Sequence, residues 1–489
     1  MLEKRKAGIL LPISSLPSPY GIGSFGKAAY DFVDFLKEAK QTYWQVLPIG
    51  PTSFGDSPYA SPSTFAGNPY FIDLDLLAED NLLKAKDYVS ISKNSSSVDY
   101  AYLYEVRYKI LKIAYENFLK ITPVDYAAYV NNNYKWLHNY ALFMHLKDKY
   151  HGASFNCWDD KYKFYNPEVL KEFNEDDLGF YYFLQYEFSK QWNNLKSYAN
   201  ENGIKIIGDV PIYVAYDSAD VWANPSQFKL DKNLKQVRVA GCPPDAFGPD
   251  GQLWGNPLYN YKLMKQDGYS WWIDRCRRSF ELYDIVRIDH FRGFEAYWSI
   301  PAKDKTAKGG KWVKGPNYSI FKAIKKALGA EEFIAEDLGF LTDGVYKLLA
   351  RTKFPGMKVL EFAFDKNEEN EHLPANYTKN AVCYIGTHDN YPAKGWYETL
   401  EGEALSDAKR HLKPKNSDDV VDKLINMAFN SIANTVIIQM QDYLHLGVEA
   451  RTNTPSTTSN NWVWRLDKDY QKNDLAKHIA ALTESTKRA

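Results

Sequence analysis

Eight short apolar runs recur along the chain, separated by sequence with helical character, and no other feature constrains the fold as much. They fall at residues 8–12, 43–48, 204–208, 283–288, 333–335, 359–364, 381–385 and 435–439. Runs without polar alternation suit strands buried on both faces, as in a parallel sheet covered by helices. Eight of them in alternation with helices predict an α/β chain folded as a (β/α)8 barrel. The interval 76–200 differs, with helical periodicity and many Tyr and Lys. It reads as a mainly helical insertion subdomain between the second and third strands. Residues 1–75 are then the first part of the barrel and 201–489 the remainder. Residues 92–97 read as a polar loop, and the charged tail 467–489 as a helix with a frayed end.

Charge and cysteine usage exclude several classes. Sixty Lys and Arg face 61 Asp and Glu, a net charge of −1, which leaves no electrostatic footprint for nucleic acid or an anionic membrane. Four cysteines, Cys157, Cys242, Cys276 and Cys383, lack CxxC spacing. That argues against a zinc cluster or a disulfide framework, and a reducing cytoplasm is the expectation. Pro12 interrupts the apolar start, unlike a secretory signal. No run approaches the roughly 18 apolar residues of a membrane span. No protein partner is implied. Aromatic residues make up 16% of the chain. They serve either a large core or a groove of flat apolar faces with polar rims, which sugars fit.

The active end of such a barrel is where strands end, so the residues following the runs matter most. Asp209 follows the third run, Asp289 and His290 the fourth, Glu336 and Asp337 the fifth, and His388 and Asp389 the seventh. Converging carboxylates serve two chemistries. They hold a hard cation such as Mg²⁺, or they act on a glycoside, one as nucleophile and one as acid. Arg287 stands two residues before Asp289, hence on the same side of one strand. A cation there keeps Asp289 ionised and would be repelled by a metal, which favours glycoside chemistry. Glu336 and Asp337 are adjacent and should point apart, so one faces the substrate. Asp289 supplies the negative charge that keeps an acid catalyst protonated. His290 and His388 can donate hydrogen bonds to sugar hydroxyls, and Asp389 can hold two of them.

Arg287-Ile-Asp-His-Phe-Arg-Gly-Phe-Glu295, Ala335-Glu-Asp-Leu-Gly339 and Gly386-Thr-His-Asp-Asn390 resemble the 4-α-glucanotransferases of glycoside hydrolase family 77, relatives of the α-amylases. Gly55-Asp-Ser-Pro-Tyr59, Gly208-Asp-Val-Pro-Ile-Tyr213, Gly251-Gln-Leu-Trp254 and Asn461-Trp-Val-Trp-Arg465 extend the resemblance from about residue 8 to 465. It implies Asp289 as nucleophile, Glu336 as general acid/base and Asp389 as transition-state stabiliser. It places Arg287, His290, His388, Asp209 and Tyr59 around the reacting sugar. Phe247 and Trp254 fall on the acceptor side, in a lid loop near 242–254. It implies maltooligosaccharides and α-1,4-glucans as substrates, and no cofactor or metal. The chain departs from the family pattern at Tyr391-Pro392-Ala393 and at the polar stretch 454–461. A hydrolytic α-glucanase, a metal-dependent lyase or hydrolase, and a non-catalytic glucan-binding protein are the alternatives.

Overall fold

Twelve strands are found among the described residues, which in this computed structural model are all except 1, 3, 54, 92–94, 245–247 and 473. In chain order they are β1 (Lys6–Leu10), β2 (Tyr43–Gln45), β3 (Lys205–Val210), β4 (Arg238–Cys242), β5 (Gln252–Pro257), β6 (Ile285–Ile288), β7 (Ala296–Pro301), β8 (Lys311–Lys314), β9 (Phe333–Ala335), β10 (Gly356–Val359), β11 (Ala381–Tyr384) and β12 (Thr435–Gln439). Eight close into a barrel in the order β1-β12-β11-β10-β9-β6-β3-β2, and every neighbouring pair is parallel. Helices lie between the strands, so the chain is a (β/α)8 barrel. Side chains alternate across each strand. One set, including Leu10, Tyr43, Ile207, Ile285, Met357 and Tyr384, fills the barrel interior. The other set packs against the surrounding helices.

Between β2 and β3 run the long helices Tyr100–Ile121, Tyr126–Lys149 and Glu175–Glu201. The last starts at a reciprocal cap, in which the Asn174 side chain takes the N–H groups of Asp176 and Asp177 and Asp177 returns a bond to the Asn174 N–H. Its far half docks on the barrel, where the fully buried Trp192 donates its Nε1 hydrogen to the carbonyl of Leu282 at 2.9 Å. Among the described residues no helix is long and apolar enough to cross a membrane.

Three features depart from the sequence reading. The sixth barrel strand is Gly356–Val359, and half of the apolar run at 359–364 forms a 3-10 turn, Leu360–Phe362. The strand starts where the backbone must approach Asp337, since a Cβ on Gly356 would lie 2.2 Å from Asp337 Oδ2. The turn then buries Leu360 and leaves Phe362 38% exposed. Second, β5-β4-β7-β8 form a separate antiparallel sheet beside the barrel. Cys242 and Trp254 therefore sit on paired strands rather than on a free loop. Third, the C-terminal end is anchored rather than frayed. Arg488 is fully buried and donates to the carbonyls of Phe429 at 2.8 Å and Ser431 at 2.9 Å.

Candidate active site

The inward-facing positions of β3 and β6 change from apolar to charged as these strands reach the barrel mouth. Ile207 and Ile285 lie in the interior; two residues on, Asp209 and Arg287 are register partners. Asp209 thus lies within β3, not after it. Arg287 Nη1 sits 2.7 and 2.6 Å from the two Asp209 carboxylate oxygens and 3.1 Å from Asp289 Oδ1. Neither Arg287 nor Asp209 has appreciable solvent exposure, whereas the Asp289 side chain keeps 32% of its surface. A buried pair of this kind repays its desolvation only when well bonded. Arg287 meets that condition, with Met357 Sδ 3.3 Å from its Nε.

The guanidinium is therefore divided, which alters the reading of Asp289. Burial pushes the Asp289 carboxyl up to about 8; Arg287 opposes this, and Asp209, Glu336 and Asp389 reinforce it. Arg287 favours the ionised form of Asp289, as the sequence suggests, but Asp209 holds the closer share of its charge. Burial also raises Glu336 above the usual carboxylate range, against Arg287 and two backbone N–H groups. Those are the N–H of His290 on Oε2 at 2.6 Å and of Leu338 on Oε1 at 2.8 Å. His290 presents its N–H in a left-handed conformation, φ 49°. Asp337 turns the other way and accepts the Met357 N–H at 2.6 Å.

The opposite wall comes from β11 and the chain after β12. Tyr59 OH donates to Asp209 Oδ2 at 2.7 Å and lies 2.9 Å from His388 Nε2. His388 Nε2 is also 3.4 Å from Asp389 Oδ2. Burial lowers both histidines, His290 to about 3, so both rings are neutral at pH 7. The Trp254 ring stands edge-on to His290, with centroids 4.8 Å apart. Phe247 lies outside the described residues. All the other sequence-predicted side chains are linked through these contacts around the barrel mouth.

Several neighbours lie outside the set of site residues the sequence predicts. Asn453 Nδ2 donates to Asp389 Oδ1 at 2.6 Å, and Arg451 Nη2 donates to the Asp389 carbonyl at 2.6 Å. Arg451 also covers the Tyr391 ring at 4.0 Å. Trp462 packs on Tyr59 and His388, at centroid distances of 5.6 and 6.0 Å. Beneath the 387–393 loop lie Glu361 and Asp442, both buried. Asp442 accepts the Ala393 N–H at 2.7 Å. Burial raises Asp442 to about 7 and Glu361 well above its ordinary value, each having an oxygen without a partner. Among the described residues no three His, Cys, Asp or Glu side chains stand close enough together to hold a metal ion.

A parallel barrel with carboxylates, a buried guanidinium and neutral histidines at its strand ends has the make-up of an enzyme that acts on glycosides. The family model described as 4-alpha-glucanotransferase, Glyco_hydro_77, matches residues 11–471, and the chain belongs to that family. A 4-alpha-glucanotransferase of Clostridium butyricum is 48% identical over 478 residues, 96% of this chain and 98% of the relative. One from Thermus thermophilus is 43% identical over 498 residues, 99% of both chains. The structure of amylomaltase from Streptococcus agalactiae superposes with a TM-score of 0.96 at 40% identity, covering 99% of this chain and all of that one. The enzyme transfers α-1,4-glucan segments to the 4-hydroxyl of an acceptor sugar, with the retention implied by its family.

Proposed function

We propose that Asp289 is the nucleophile, Glu336 the general acid/base and Asp389 the transition-state stabiliser of this transfer. The observation that carries the reading is the linkage around Arg287. One nitrogen of its guanidinium orients Asp289, while Glu336 is held in place by the N–H next in sequence to Asp289. Two mutually repelling carboxyls, one buried and one partly exposed, retain one proton over a wide pH range. In the productive state the charge rests on Asp289, beside Arg287, and the proton rests on Glu336. Asp289 attacks the anomeric carbon as Glu336 protonates the departing 4-oxygen. The glucosyl-enzyme is then opened by an acceptor 4-hydroxyl, whose proton returns to Glu336.

Asp389, set by Asn453 and His388, binds the ring hydroxyls of the sugar. Tyr59, Asp209, Arg287, His290 and His388 surround it. Trp254 supplies an acceptor-side ring, and the connection from β4 to β5, with Phe247, acts as the lid. Water is kept from the intermediate when the acceptor sugar occupies the site and presents one hydroxyl. Maltooligosaccharides are the substrates on this reading, in keeping with the acarbose bound to the Streptococcus agalactiae relative. Residues 76–200 form the insertion subdomain, between the barrel segments 1–75 and 201–489. The compartment on this reading is the cytoplasm, in keeping with four cysteines that lack CxxC spacing.

Incubation with maltotriose, with Asp289→Asn as control, tests the assignment. The expected products are glucose and a ladder of longer maltooligosaccharides, reduced at least about 10³-fold in the control. Full activity in Asp289→Asn removes the nucleophile assignment. Glucose and maltose without longer products remove the acceptor-site reading.

A further inference from the structure

Away from the barrel mouth, a second cavity of about 260 Å³ opens between the insertion helix Tyr126–Lys149 and the barrel-side helix Ser270–Leu282. Its walls combine rings with side-chain amides. Phe65 and Trp136 lie 6.4 Å apart with planes 17° from parallel, and Trp271 stands across Phe65 at 82°. Asn132, Asn139 and Gln227 supply amides. Gln227 Oε1 is buried without a hydrogen-bond partner.

The charges lining this cavity are neutralised in place. Asp274 holds both Lys135 and Arg277, and Arg278 pairs with Glu281 at 3.0 Å. Asp220, the third acid, is pushed up to about 6 by burial and accepts the Thr64 N–H at 2.9 Å. Each of the three cations is thus engaged, which argues against a phosphate or carboxylate ligand. Aromatic faces, amides and balanced charge suit a neutral polyhydroxylated ligand, with its C–H faces on the rings and its vicinal hydroxyls on the amides. At about 260 Å³ the cavity lies just under the roughly 300–1,000 Å³ of pockets for drug-sized ligands, a size that suits a ligand no larger than a sugar unit or two.

The cavity communicates with the catalytic cleft through one short segment. Tyr59 lines the cleft, and six residues on, Phe65 lines the cavity. Arg278 Nε donates to the Phe65 carbonyl at 3.0 Å and fixes that segment between the two spaces.

We propose that this cavity is a second glucan-binding site, holding part of a long α-1,4-glucan while another part of the same chain occupies the cleft. Tethering raises the local concentration of the donor, so it acts on long glucans and not on short ones. Two variants test this. Trp136→Ala removes a ring, and Ser270→Trp fills the mouth from an exposed lining residue. Affinity electrophoresis in amylose gels is run on each in an Asp289→Asn background, and kinetics in the active background. Both variants should lose retardation in amylose at least threefold and raise the KM for amylose at least threefold. Their kcat/KM on maltotriose should stay within twofold, with Ser270→Trp melting as the parent does. Unchanged amylose retardation and KM in Ser270→Trp overturn the proposal. Parallel losses on amylose and maltotriose also overturn it, because the cavity walls would then only support the catalytic segment.

Discussion

Asp209→Asn should move the whole pH–rate profile toward lower pH. The oxygens of Asp209 and Asp289 lie 2.6 and 3.1 Å from one Arg287 nitrogen, so at most 5.7 Å (2.6 plus 3.1) separates them. At an effective dielectric constant of about 20, unit charges at that distance repel by about 3 kcal/mol. That is equivalent to about two pKa units. The amide keeps an acceptor for Arg287, whose charge then acts undivided on Asp289 and adds to the fall. Asp289 keeps 32% of its surface open to solvent, and solvent screening reduces the expected shift of the acidic limb to about one unit. Glu336 is also raised by Asp209, so the alkaline limb moves the same way. The limbs report the pair, not either acid alone. The optimum rate should fall about 10²-fold, since negative charge facing a cationic transition state is lost. Glucose release from maltotriose across about pH 4 to 9 measures both limbs, with a melting curve to verify folding. Limbs that stay in place, or that move upward, refute the electrostatic coupling.

Trp254→Ala should raise the ratio of hydrolysis to transfer several-fold by weakening the acceptor side, read from the products of maltotriose; an unchanged ratio removes Trp254 from that role. Asn453→Ala frees Asp389 Oδ1 from its 2.6 Å bond and should lower kcat about tenfold with little change in KM. Glu361→Gln should raise the melting temperature by a degree or more at pH 8 and have little effect at pH 4. The folded state holds the Glu361 proton above its ordinary range. Stability from this group is therefore complete below the unfolded value near 4.5 and is lost as pH rises through the higher folded value. A larger gain at pH 4 than at pH 8 would contradict that sign.

Seven of the eight barrel strands were visible because a strand buried on both faces must be apolar throughout. The sixth was misplaced by a stretch of the same composition, since Leu360 in the turn and Phe364 just after it are buried as well as they would be in a strand. The antiparallel sheet was missed for the opposite reason. Its strands are half-buried and contain Gly241, Gly255 and Pro257, which read as turn residues. The site acids could be found because chemistry demands carboxylates at strand ends. Asn453 and Arg451 could not. They act by holding Asp389 and Tyr391 from positions 60 or more residues away, and no local pattern encodes such a bond.

On the proposed assignment of roles, the division of Arg287 between two carboxylates also suits the site to its reaction. With one proton on the Asp289–Glu336 pair, three carboxylates (Asp209, Asp389 and one of the pair) face two guanidinium groups, Arg287 among them and Arg451 on the backbone carbonyl of Asp389. The buried histidines add no positive charge at neutral pH. The resting site is thus over-supplied with negative charge, and the raised Asp289 and Glu336 carboxyls express that strain. A neutral glucan in its ground state relieves little of it. The oxocarbenium-like transition state carries the missing positive charge and relieves it at the moment of reaction. An interaction that strengthens only there lowers the barrier, whereas equal binding of substrate and transition state would not. A second fixed cation beside Asp289 would lower its pKa and make a better-ionised nucleophile, yet it would also remove the field that the transition state needs.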